Sequence, residues 1–394
     1  MYSRNVMLFR EYIPEMLYFC VVIDRVLQHN IEQRLFGGKA IILTGPRQVG
    51  KTTLLKKIVA ASKKKMLILN GDDPAVRDIL GNANLESLRQ IIGNAEILFI
   101  DEAQRISQIG LSAKMITDEI KQCQLILSGS SSFELSGHMQ EPLTGRKWTF
   151  ELFPISWKEL QDNKGFIAAQ QDLDNRLVHG FYPDVINNPN HQTDILVELV
   201  NSYLYKDVLT YANLRKPEII QKLVQALAYQ LGNEVVYSEI GKLIGLDHKT
   251  VSNYIDILEQ AYVVFRLPSF SRNLRNEIKT NRKVYFYDNG VRNAVIGALQ
   301  PLPIRQDVGA LWENFCVSER LKYLRYKNAH TSTYFWRTRQ QQEVDYVEES
   351  DGIIKGYEFK WNENRKASIP KTFTDTYNTD VKIISKSNFR EFVF

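Results

Sequence analysis

An eight-residue segment, Gly45–Thr52, carries the most specific chemical signal in this sequence. It reads Gly-Pro-Arg-Gln-Val-Gly-Lys-Thr and matches the phosphate-binding pattern G-x-x-x-x-G-K-[ST]. The glycines let the backbone wrap around a phosphate chain, so that its N–H groups and the N-terminus of a following helix face the anion. Lys51 can reach the β- and γ-phosphates of a nucleotide, and the hydroxyl group of Thr52 can ligate Mg²⁺. The residues expected to bind the nucleotide are Gly45, Pro46, Arg47, Gln48, Val49, Gly50, Lys51, Thr52 and Thr53.

The sequence on either side of this segment predicts the elements that phosphate binding requires. An apolar run at 40–44 precedes the segment and predicts a strand, and residues 53–59 follow it with the pattern of a helix. An ordinary glycine-rich turn is the alternative interpretation, and it would need neither flanking element.

Two carboxylates end a second apolar run, about fifty residues after the phosphate loop. The run, 96–102, is typical of a buried parallel strand, and residues at the C-terminal end of such a strand face the ligand crevice. We expect Asp101 to hold Mg²⁺, directly or through water, and Glu102 to orient and deprotonate the attacking water. A solvated strand end is the alternative, which the position after a phosphate loop disfavours.

Three further residues are candidates for the same catalytic site. Ser130 and Ser131 follow the next predicted strand, where a hydroxyl group can sense the γ-phosphate or position the water; a serine-rich turn is the alternative. Arg146 precedes a predicted edge strand, 148–153, and can reach a phosphate in its own subunit or in a neighbouring one. It can equally be a surface arginine that pairs with an acid.

A second group of charged residues lies near the end of the sequence. Two predicted strands form a hairpin that turns around 350–353, so Asp345 lies opposite Glu358 to within one residue. Lys360 shares the face of Glu358, and Glu313 reaches in from a preceding amphipathic helix. Two carboxylates and a lysine on adjacent strands can hold Mg²⁺ and orient water for attack on a phosphodiester. A solvated sheet face carries similar charges and is the alternative.

Residues 238–260 predict two helices joined by a glycine turn, the signature of a helix-turn-helix. Ser238 is expected to cap the first helix and Asp247 the second. Two predicted strands, 261–267 and 284–287, follow the second helix, so the whole pattern predicts a winged helix.

The segment between those two strands is a basic wing in this interpretation. Six basic residues oppose one acid, Glu277, in this segment: Arg266, Arg272, Arg275, Lys279, Arg282 and Lys283. The positions expected to be exposed on the recognition helix are His248, Lys249, Thr250, Ser252 and Asn253. Lys249, Arg272 and Arg275 are the predicted DNA contacts. Winged helices also serve as lids and protein-docking modules, so a structural or protein-facing role is the alternative.

Composition limits the class of protein. The chain has 394 residues, a net charge of +5 and 44 % hydrophobic residues, which is typical of a soluble globular protein with about two or three domains. The cysteines, Cys20, Cys123 and Cys316, lack the spacing of a metal or redox site and fit a reducing cytoplasm. The apolar stretch 16–23 is too short to span a bilayer, and acidic residues before it argue against a signal peptide. We therefore expect a cytoplasmic protein without a membrane partner.

These motifs together resemble a family: the bacterial and archaeal AAA+-type P-loop ATPases that carry a C-terminal domain of unknown function. The resemblance runs from about Asp24 to the C-terminus; the segment 1–22 departs from the usual pattern, in which the phosphate loop lies closer to the start. It rests on the segments Gly45–Leu55, Asp101–Gln104, Gly129–Ser132, Leu143–Arg146, Gly180–Pro183 and Lys283–Gly290. The resemblance implies ATP binding and hydrolysis, then a winged helix, then a fold similar to PD-(D/E)XK nucleases. It does not imply that the nuclease-like end cuts DNA.

The alternation of strands and helices in the first part predicts an α/β fold, a P-loop NTPase core of the AAA+ type with a doubly wound parallel sheet. The pattern is helical from about 155 to 230. The expected organisation is an N-terminal extension (1–22), a P-loop ATPase core (23–154), a helical connector (155–220), a winged helix (221–290) and an α/β nuclease-like domain (291–394).

The sequence therefore predicts a Mg²⁺-dependent ATPase of the additional-catalytic-glutamate type, with ATP and Mg²⁺ as cofactors. Hydrolysis would drive a motion between the core and the C-terminal module, acting on DNA, with a homo-oligomer or a protein partner also expected. The rival prediction is a slow nucleotide-dependent switch whose winged helix docks a protein partner, with neither DNA binding nor nuclease activity.

Overall fold

The computed structural model describes residues 22–130, 142–202, 217–271, 282–364 and 369–394, so the predicted extension lies outside it except for Val22. The first unit is built on five parallel strands in the order β2-β3-β4-β1-β5. The strands are β1 (Ala40–Thr44), β2 (Met66–Asn70), β3 (Ile97–Asp101), β4 (Gln124–Ser128) and β5 (Lys147–Glu151). The predicted parallel sheet and the edge position of its last strand are confirmed.

Helices cover both faces of this sheet. They are α1 (Leu27–Glu32), α2 (Lys51–Ser62), α3 (Pro74–Gly81), α4 (Leu85–Ile92) and α5 (Ile109–Glu119). Successive side chains of a strand point to opposite faces, so Ile41 and Leu43 pack in one core with α1 and α2, and Ile42 packs in a second core with α3 to α5. Burial on both faces explains why the central strands β1 and β3 are nearly continuous apolar runs.

A run of helices follows β5, as the sequence predicts from residue 155 onward. They are α6 (Trp157–Lys164), α7 (Phe166–His179), α8 (Pro183–Asn187), α9 (Gln192–Leu199) and α10 (Pro217–Tyr229). Ser156 and Glu159 form a capping box that fixes the start of α6 directly after the sheet.

The next unit combines two helices with a small antiparallel sheet. Its elements are β6 (Glu234–Val235), α11 (Tyr237–Ile244), α12 (His248–Gln260), β7 (Val264–Pro268) and β8 (Arg282–Phe286). The three strands pair in the order β6-β8-β7. Gly245 adopts a left-handed conformation, with φ of 75°, between the two helices, as the predicted glycine turn requires.

The two predicted helix caps of this unit have different outcomes. Asp247 caps α12, because its carboxylate accepts hydrogen bonds from the N–H groups of Lys249 and Thr250 at 2.9 and 3.0 Å. The prediction that Ser238 caps α11 is wrong. The helix begins one residue earlier, so Ser238 lies in its first turn, and Val236 takes the cap position without a side-chain hydrogen bond.

The C-terminal unit is a four-stranded sheet packed against helices. Its elements are α13 (Asn289–Val295), α14 (Val308–Tyr326), β9 (Ser332–Arg337), β10 (Glu343–Ser350), β11 (Ile353–Phe359), α15 (Lys371–Tyr377), β12 (Val381–Ile384) and α16 (Phe389–Val393). The strands lie in the order β12-β11-β10-β9. Tyr346 pairs with Tyr357, so the antiparallel register continued by one residue sets Asp345 opposite Glu358. Within the described residues, no helix has the length and apolar character needed to cross a membrane.

Candidate functional site

The phosphate loop joins β1 to α2 in a conformation that requires glycine at both ends. Gly45 has φ of 143° and Gly50 has φ of 91°, and both values disfavour other residues. A Cβ atom on Gly45 would lie 2.1 Å from the carbonyl oxygen of Leu152, just beyond β5. Because α2 begins at Lys51, the free N–H groups of its first turn lie at the loop. The loop therefore has the shape and polarity that an anion requires.

Lys51 is buried at the base of this loop. Its Nζ donates hydrogen bonds to the carbonyl oxygens of Gly45 and Pro46, at 2.8 and 2.7 Å. Burial lowers the pKa of the Lys51 ammonium from 10.5 to about 8, although the carboxylates of Glu102 and Asp101 oppose that shift. The lysine charge is thus held inside the loop by neutral carbonyl groups.

Thr52 and Asp101 meet beside the first turn of α2. Thr52 Oγ1 donates a hydrogen bond to Asp101 Oδ2 at 2.7 Å, and Ser128 at the end of β4 donates to Asp101 Oδ1. A hydroxyl group and a carboxylate are the hard oxygen ligands that Mg²⁺ prefers, and this ion commonly takes its other ligands from water and phosphate. The donor set formed by these two residues therefore fits Mg²⁺.

Glu102 lies on the same side of the sheet as the phosphate loop. Its backbone is left-handed, with φ of 48° and ψ of 40°, and its Oε2 accepts a hydrogen bond from Gln104 Nε2 at 2.6 Å. The same Gln104 nitrogen donates to Ser130 Oγ at 3.1 Å. A cavity of about 320 Å³ is lined by Arg47, Gln48, Gly50, Lys51, Thr52, Thr53, Asp72 and Glu102. The loop residues and Glu102 therefore face one common space.

Two further polar side chains, Gln104 and Ser130, contact each other beside this space. The sequence analysis assigns no role to Gln104, although this residue ends the Asp101–Gln104 segment on which the family resemblance rests; it lies in the turn that follows β3. Ser130 lies two residues beyond the end of β4 and contacts that amide, whereas Ser131 is outside the described residues.

Arg146 lies at the opposite end of β1 from the phosphate loop. Its carbonyl oxygen accepts a hydrogen bond from the N–H of Ala40, the first residue of β1, whereas the loop follows the last residue of that strand. Its Nε lies 2.7 and 2.9 Å from the carboxylate oxygens of Asp118. The prediction that Arg146 reaches a phosphate in its own subunit is therefore wrong. Arg146 instead forms the surface ion pair of the alternative interpretation. A role toward a neighbouring subunit stays a prediction.

A second cavity, of about 330 Å³, adjoins the phosphate loop on its other side. Its apolar lining comes from Val22, Ile23, Val49, Leu54, Ile155 and Pro183. Gln48, Gly50 and Thr53 line both cavities, so the two spaces share a wall. A mostly apolar pocket beside a phosphate site suits the flat ring of a nucleobase. No sequence pattern indicates this pocket, because its walls come from segments that are far apart in the chain.

The structure brings the four charged residues of the C-terminal hairpin region together. Glu313 on α14, Asp345 on β10 and Lys360 after β11 line one cavity of about 440 Å³. Glu358 Oε1 lies 2.6 Å from Lys360 Nζ, and Asp345 Oδ2 accepts a hydrogen bond from the N–H of Phe359 at 2.9 Å. Burial and the nearby Glu313 carboxylate raise the pKa of Asp345 well above its usual range. We call Glu313, Asp345, Glu358 and Lys360 the C-terminal cluster.

A residue expected in the basic wing lies instead against the C-terminal cluster. Lys283 is only 1 % exposed, and its Nζ lies 3.0 Å from Glu313 and 2.5 Å from Glu343. Tyr285, two residues further along β8, donates a hydrogen bond to Glu313 at 2.6 Å. The assignment of Lys283 to a DNA-facing wing is therefore wrong. The period-two alternation of Lys283 and Tyr285 is a sequence signal that both face the same side.

Ion pairs with Lys283 and Lys360 limit metal binding by the C-terminal cluster. In the described part of the chain, no group of three or more His, Cys, Asp or Glu side chains is placed to hold a metal ion. Glu313 and Glu358 are each already paired with a lysine, so a metal ion would have to displace or reorient those contacts. The cluster is therefore a charged pocket rather than a preformed metal centre.

The predicted DNA contacts are only partly described. Lys249 is exposed in the first turn of α12. Arg266 forms ion pairs with Asp256, at 2.6 Å, and with Glu259, so its charge is neutralised locally and its assignment to the basic wing is wrong. The wing residues outside the described part of the chain are Arg272, Arg275 and Lys279.

Family comparisons divide the chain into three segments. Residues 37–161 match the family model described as an AAA domain. Residues 170–302 match a domain of unknown function (DUF8612), and residues 308–391 match another (DUF4143). The first match agrees with the five-stranded parallel sheet and the phosphate loop, and together they support a P-loop NTPase fold with nucleotide-dependent activity for this segment. A role in DNA binding or cleavage does not follow from these matches.

Similarity to individual proteins extends over most of the chain. An uncharacterized protein of Mycobacterium tuberculosis is 26 % identical over 347 residues, which cover 86 % of this chain and 75 % of that protein. An uncharacterized protein of Methanocaldococcus jannaschii is 25 % identical over 395 residues, covering 92 % and 85 %. Among solved structures, the Thermotoga maritima RuvB Holliday junction branch migration motor is 19 % identical and covers 62 % of this chain and 90 % of its own, with a TM-score of 0.30.

Proposed function

We propose that this chain is a Mg²⁺-dependent ATPase whose nucleotide cycle moves the helix-turn-helix and C-terminal units, with DNA as the substrate of that motion. The arrangement of Lys51, Thr52, Asp101 and Glu102 around the phosphate loop carries this proposal. The loop leaves β1 and the two acids end β3, and the parallel sheet aligns the carboxyl ends of these strands on either side of β4.

The roles of these side chains follow from their chemistry. Lys51 would stabilise the negative charge that develops on the transferred phosphoryl group. Thr52 and Asp101 would hold Mg²⁺, which neutralises phosphate charge when it is bound. The Glu102 carboxylate would accept a proton from the water whose oxygen attacks the γ-phosphorus, and ADP would leave with the electrons of the broken P–O bond.

Two contacts support coupling between the phosphate loop and the rest of the chain. The hydroxyl group of Tyr262, two residues before β7, lies 3.0 Å from Oγ1 of Thr44, the residue before the loop. Arg25 donates hydrogen bonds to the carbonyl oxygen of Val49 within the loop, at 2.7 Å, and to that of Phe153. The N–H of Phe153 in turn donates to the hydroxyl group of Tyr326, the last residue of α14, at 3.2 Å. A change in loop conformation therefore has a direct mechanical route to both later units.

The test is ATP turnover by the full chain, with and without Mg²⁺ and with single- or double-stranded DNA. We expect turnover that requires Mg²⁺ and changes when DNA is added. Absence of turnover under all conditions would overturn the ATPase assignment. Turnover that is slow and indifferent to DNA would favour the rival, a nucleotide-dependent switch whose helix-turn-helix unit docks a protein partner.

DNA contact is proposed through α12 and the basic segment that follows β7. The exposed Lys249 supports this surface, although Arg266 and Lys283 no longer contribute to it. Reversing the charges of Arg272 and Arg275 to glutamate should weaken binding to all DNA sequences and reduce the salt slope by about two. Fluorescence anisotropy at several salt concentrations measures both effects.

A matched charge reversal makes this DNA-binding test specific. Lys121→Glu changes an exposed lysine at the far end of the ATPase sheet and should leave DNA affinity unchanged. If the Arg272 and Arg275 reversals also leave the dissociation constant unchanged at low salt, the surface does not bind DNA and the protein-docking rival is favoured.

Convergence of the C-terminal cluster favours a second candidate activity, metal-dependent cleavage of phosphodiesters. Asp345 and Glu358 would share a cation once Lys360 moves from Glu358 toward the substrate phosphate. Plasmid DNA incubated with Mg²⁺ or Mn²⁺ should then be nicked, and Asp345→Ala should abolish nicking. Asp351→Asn, in the exposed turn of the same hairpin, is the matched control. Intact plasmid with the wild-type protein would leave a nuclease-like pocket used for binding only.

A further inference from the structure

One side-chain amide connects the two strand ends that flank the proposed γ-phosphate position. Gln104 Nε2 donates hydrogen bonds to Glu102 Oε2 at 2.6 Å and to Ser130 Oγ at 3.1 Å. Glu102 follows β3 and Ser130 follows β4, so the amide bridges residues that are remote in sequence. Neither contact is part of the regular hydrogen bonding of the sheet.

The chemistry of the acceptors fixes the orientation of this amide. An ionised carboxylate only accepts hydrogen bonds, so the NH₂ group of Gln104 must face Glu102. The other end of the amide gains nothing from this placement, because Gln104 Oε1 is buried and accepts no hydrogen bond in the described structure. The position of the amide therefore serves the two hydrogen bonds of its nitrogen. The carbonyl oxygen of the same amide is left without a hydrogen bond among the described residues.

Local contacts fix the backbone of Glu102 but do not orient its side chain. Its left-handed conformation is uncommon for a residue with a side chain, and its carbonyl oxygen accepts a hydrogen bond from the N–H of Arg105 at 3.0 Å. Gly71 lies so close that a Cβ atom there would be 2.3 Å from the same carbonyl oxygen. With the backbone held on both sides, the remaining freedom of Glu102 is in its side-chain torsions, which Gln104 restrains.

We propose that Gln104 is a positioning residue of the ATPase. It holds the Glu102 carboxylate toward the phosphate-loop cavity and ties it to Ser130, so that the proton acceptor and the candidate phosphate sensor move together. This role rests on the proposed ATPase function and on the assignment of Glu102 as the proton acceptor. Gln104 itself touches neither substrate nor metal in this role, and acts only through Glu102 and Ser130.

The test compares two substitutions of Gln104 in the full chain. Gln104→Leu removes the amide, and Gln104→Glu keeps its shape but replaces the donor with a carboxylate that repels Glu102. Both should lower kcat for ATP by about tenfold to a hundredfold while KM stays within about twofold, because positioning affects the reacting geometry rather than nucleotide binding. The deficit of Gln104→Glu should shrink as the pH falls, since a protonated carboxyl group regains a donor.

Two further variants separate positioning from a general loss of structure. Gln122→Leu changes an exposed glutamine at the other end of β4 and should leave kcat unchanged. Ser130→Ala combined with Gln104→Leu should cost less than the product of the two single losses, because both act on one hydrogen-bonded unit. That non-additivity is measured by kcat ratios and does not depend on the absolute stability of either variant.

Each outcome decides a different question. A wild-type kcat in Gln104→Leu, or an increased one, would overturn the positioning role while leaving the ATPase assignment intact. A raised KM with unchanged kcat would also overturn it, because the amide would then serve nucleotide binding. No ATP turnover in the wild-type protein would overturn both this inference and the proposed function.

Discussion

The phosphate-loop site and the C-terminal cluster are both groups of buried or half-buried charges, but their charges are neutralised in different ways. In the phosphate-loop site, Lys51 is held by backbone carbonyl groups, and within the described residues neither Asp101 nor Glu102 forms an ion pair. In the C-terminal cluster, Lys283 pairs with Glu313, and Lys360 pairs with Glu358.

This difference determines what each site can receive without reorganisation. Among the described residues neither Lys51 nor Asp101 forms an ion pair, so a nucleotide phosphate would add a negative charge beside Lys51 and a cation would add a positive charge beside Asp101. The C-terminal cluster has already satisfied most of its own charges, and a ligand there must break ion pairs before it gains new ones. The same residue types therefore form a receptive site in one unit and a self-neutralised pocket in the other.

The largest effect is expected from Glu102→Gln in the phosphate-loop site. The amide cannot accept a proton, so ATP turnover should fall by about 10²- to 10⁴-fold while ATP remains bound. Steady-state turnover and nucleotide binding, measured on the same preparation, check this expectation. Lys51→Ala should instead lose ATP affinity, because the charge that faces the β- and γ-phosphates is removed.

An exposed acid remote from the phosphate loop serves as the control for that experiment. Glu119→Gln neutralises an exposed carboxylate at the end of α5 and should retain wild-type turnover. Wild-type hydrolysis by Glu102→Gln would show that Glu102 is not the proton acceptor. The phosphate-loop site and the C-terminal cluster would then not differ in catalytic role.

The next effect concerns the self-neutralised cluster. Lys283→Met leaves Glu313 and Glu343 without their shared cation in a partly buried setting, so we expect the free energy of unfolding to fall by about 3 kcal/mol. Lys382→Met, which breaks an exposed ion pair with Glu391, should leave the free energy of unfolding close to that of the wild-type protein. Urea denaturation measures both, and equal losses would contradict the view that Lys283 holds this cluster together.

The smallest effect is a difference in pH dependence between the two regions. Free Lys51 has a pKa of about 8, and bound phosphate favours its charged form, so ATP affinity should fall by up to about tenfold per pH unit above pH 8. At pH 8, binding should take up about half a proton per ATP, measured by calorimetry in buffers of different ionisation enthalpy. The pKa of Lys283 is raised well above its usual range by Glu313, so the stability contributed by its ion pairs should persist across the same interval. An ATP affinity that is flat from pH 7 to 9.5 would contradict the low pKa of Lys51.

Local patterns account for the predictions that the structure confirms. The βαβα alternation predicts the parallel sheet because strands buried on both faces must be continuous apolar runs, as β1 and β4 are. The cap at Asp247 needs only the residues that follow it, and the pairing of β10 with β11 needs only the position of their turn. The cap at Ser238 fails for a local reason too, because α11 begins at Tyr237 and shifts the serine into the helix.

The sequence by itself determined the elements whose cause is short-range: the phosphate loop, the acidic end of β3, the sheet that aligns them and the hairpin register of the C-terminal unit. Tertiary structure alone decided that Arg146 lies at the end of β1 remote from the phosphate loop, that Lys283 is buried against Glu313, and that Gln104 bridges Glu102 to Ser130. The physical reason is that the chemical role of a charged side chain depends on its partners and on its burial. Both depend on which distant segments pack against it, and no local pattern of residue types specifies that packing.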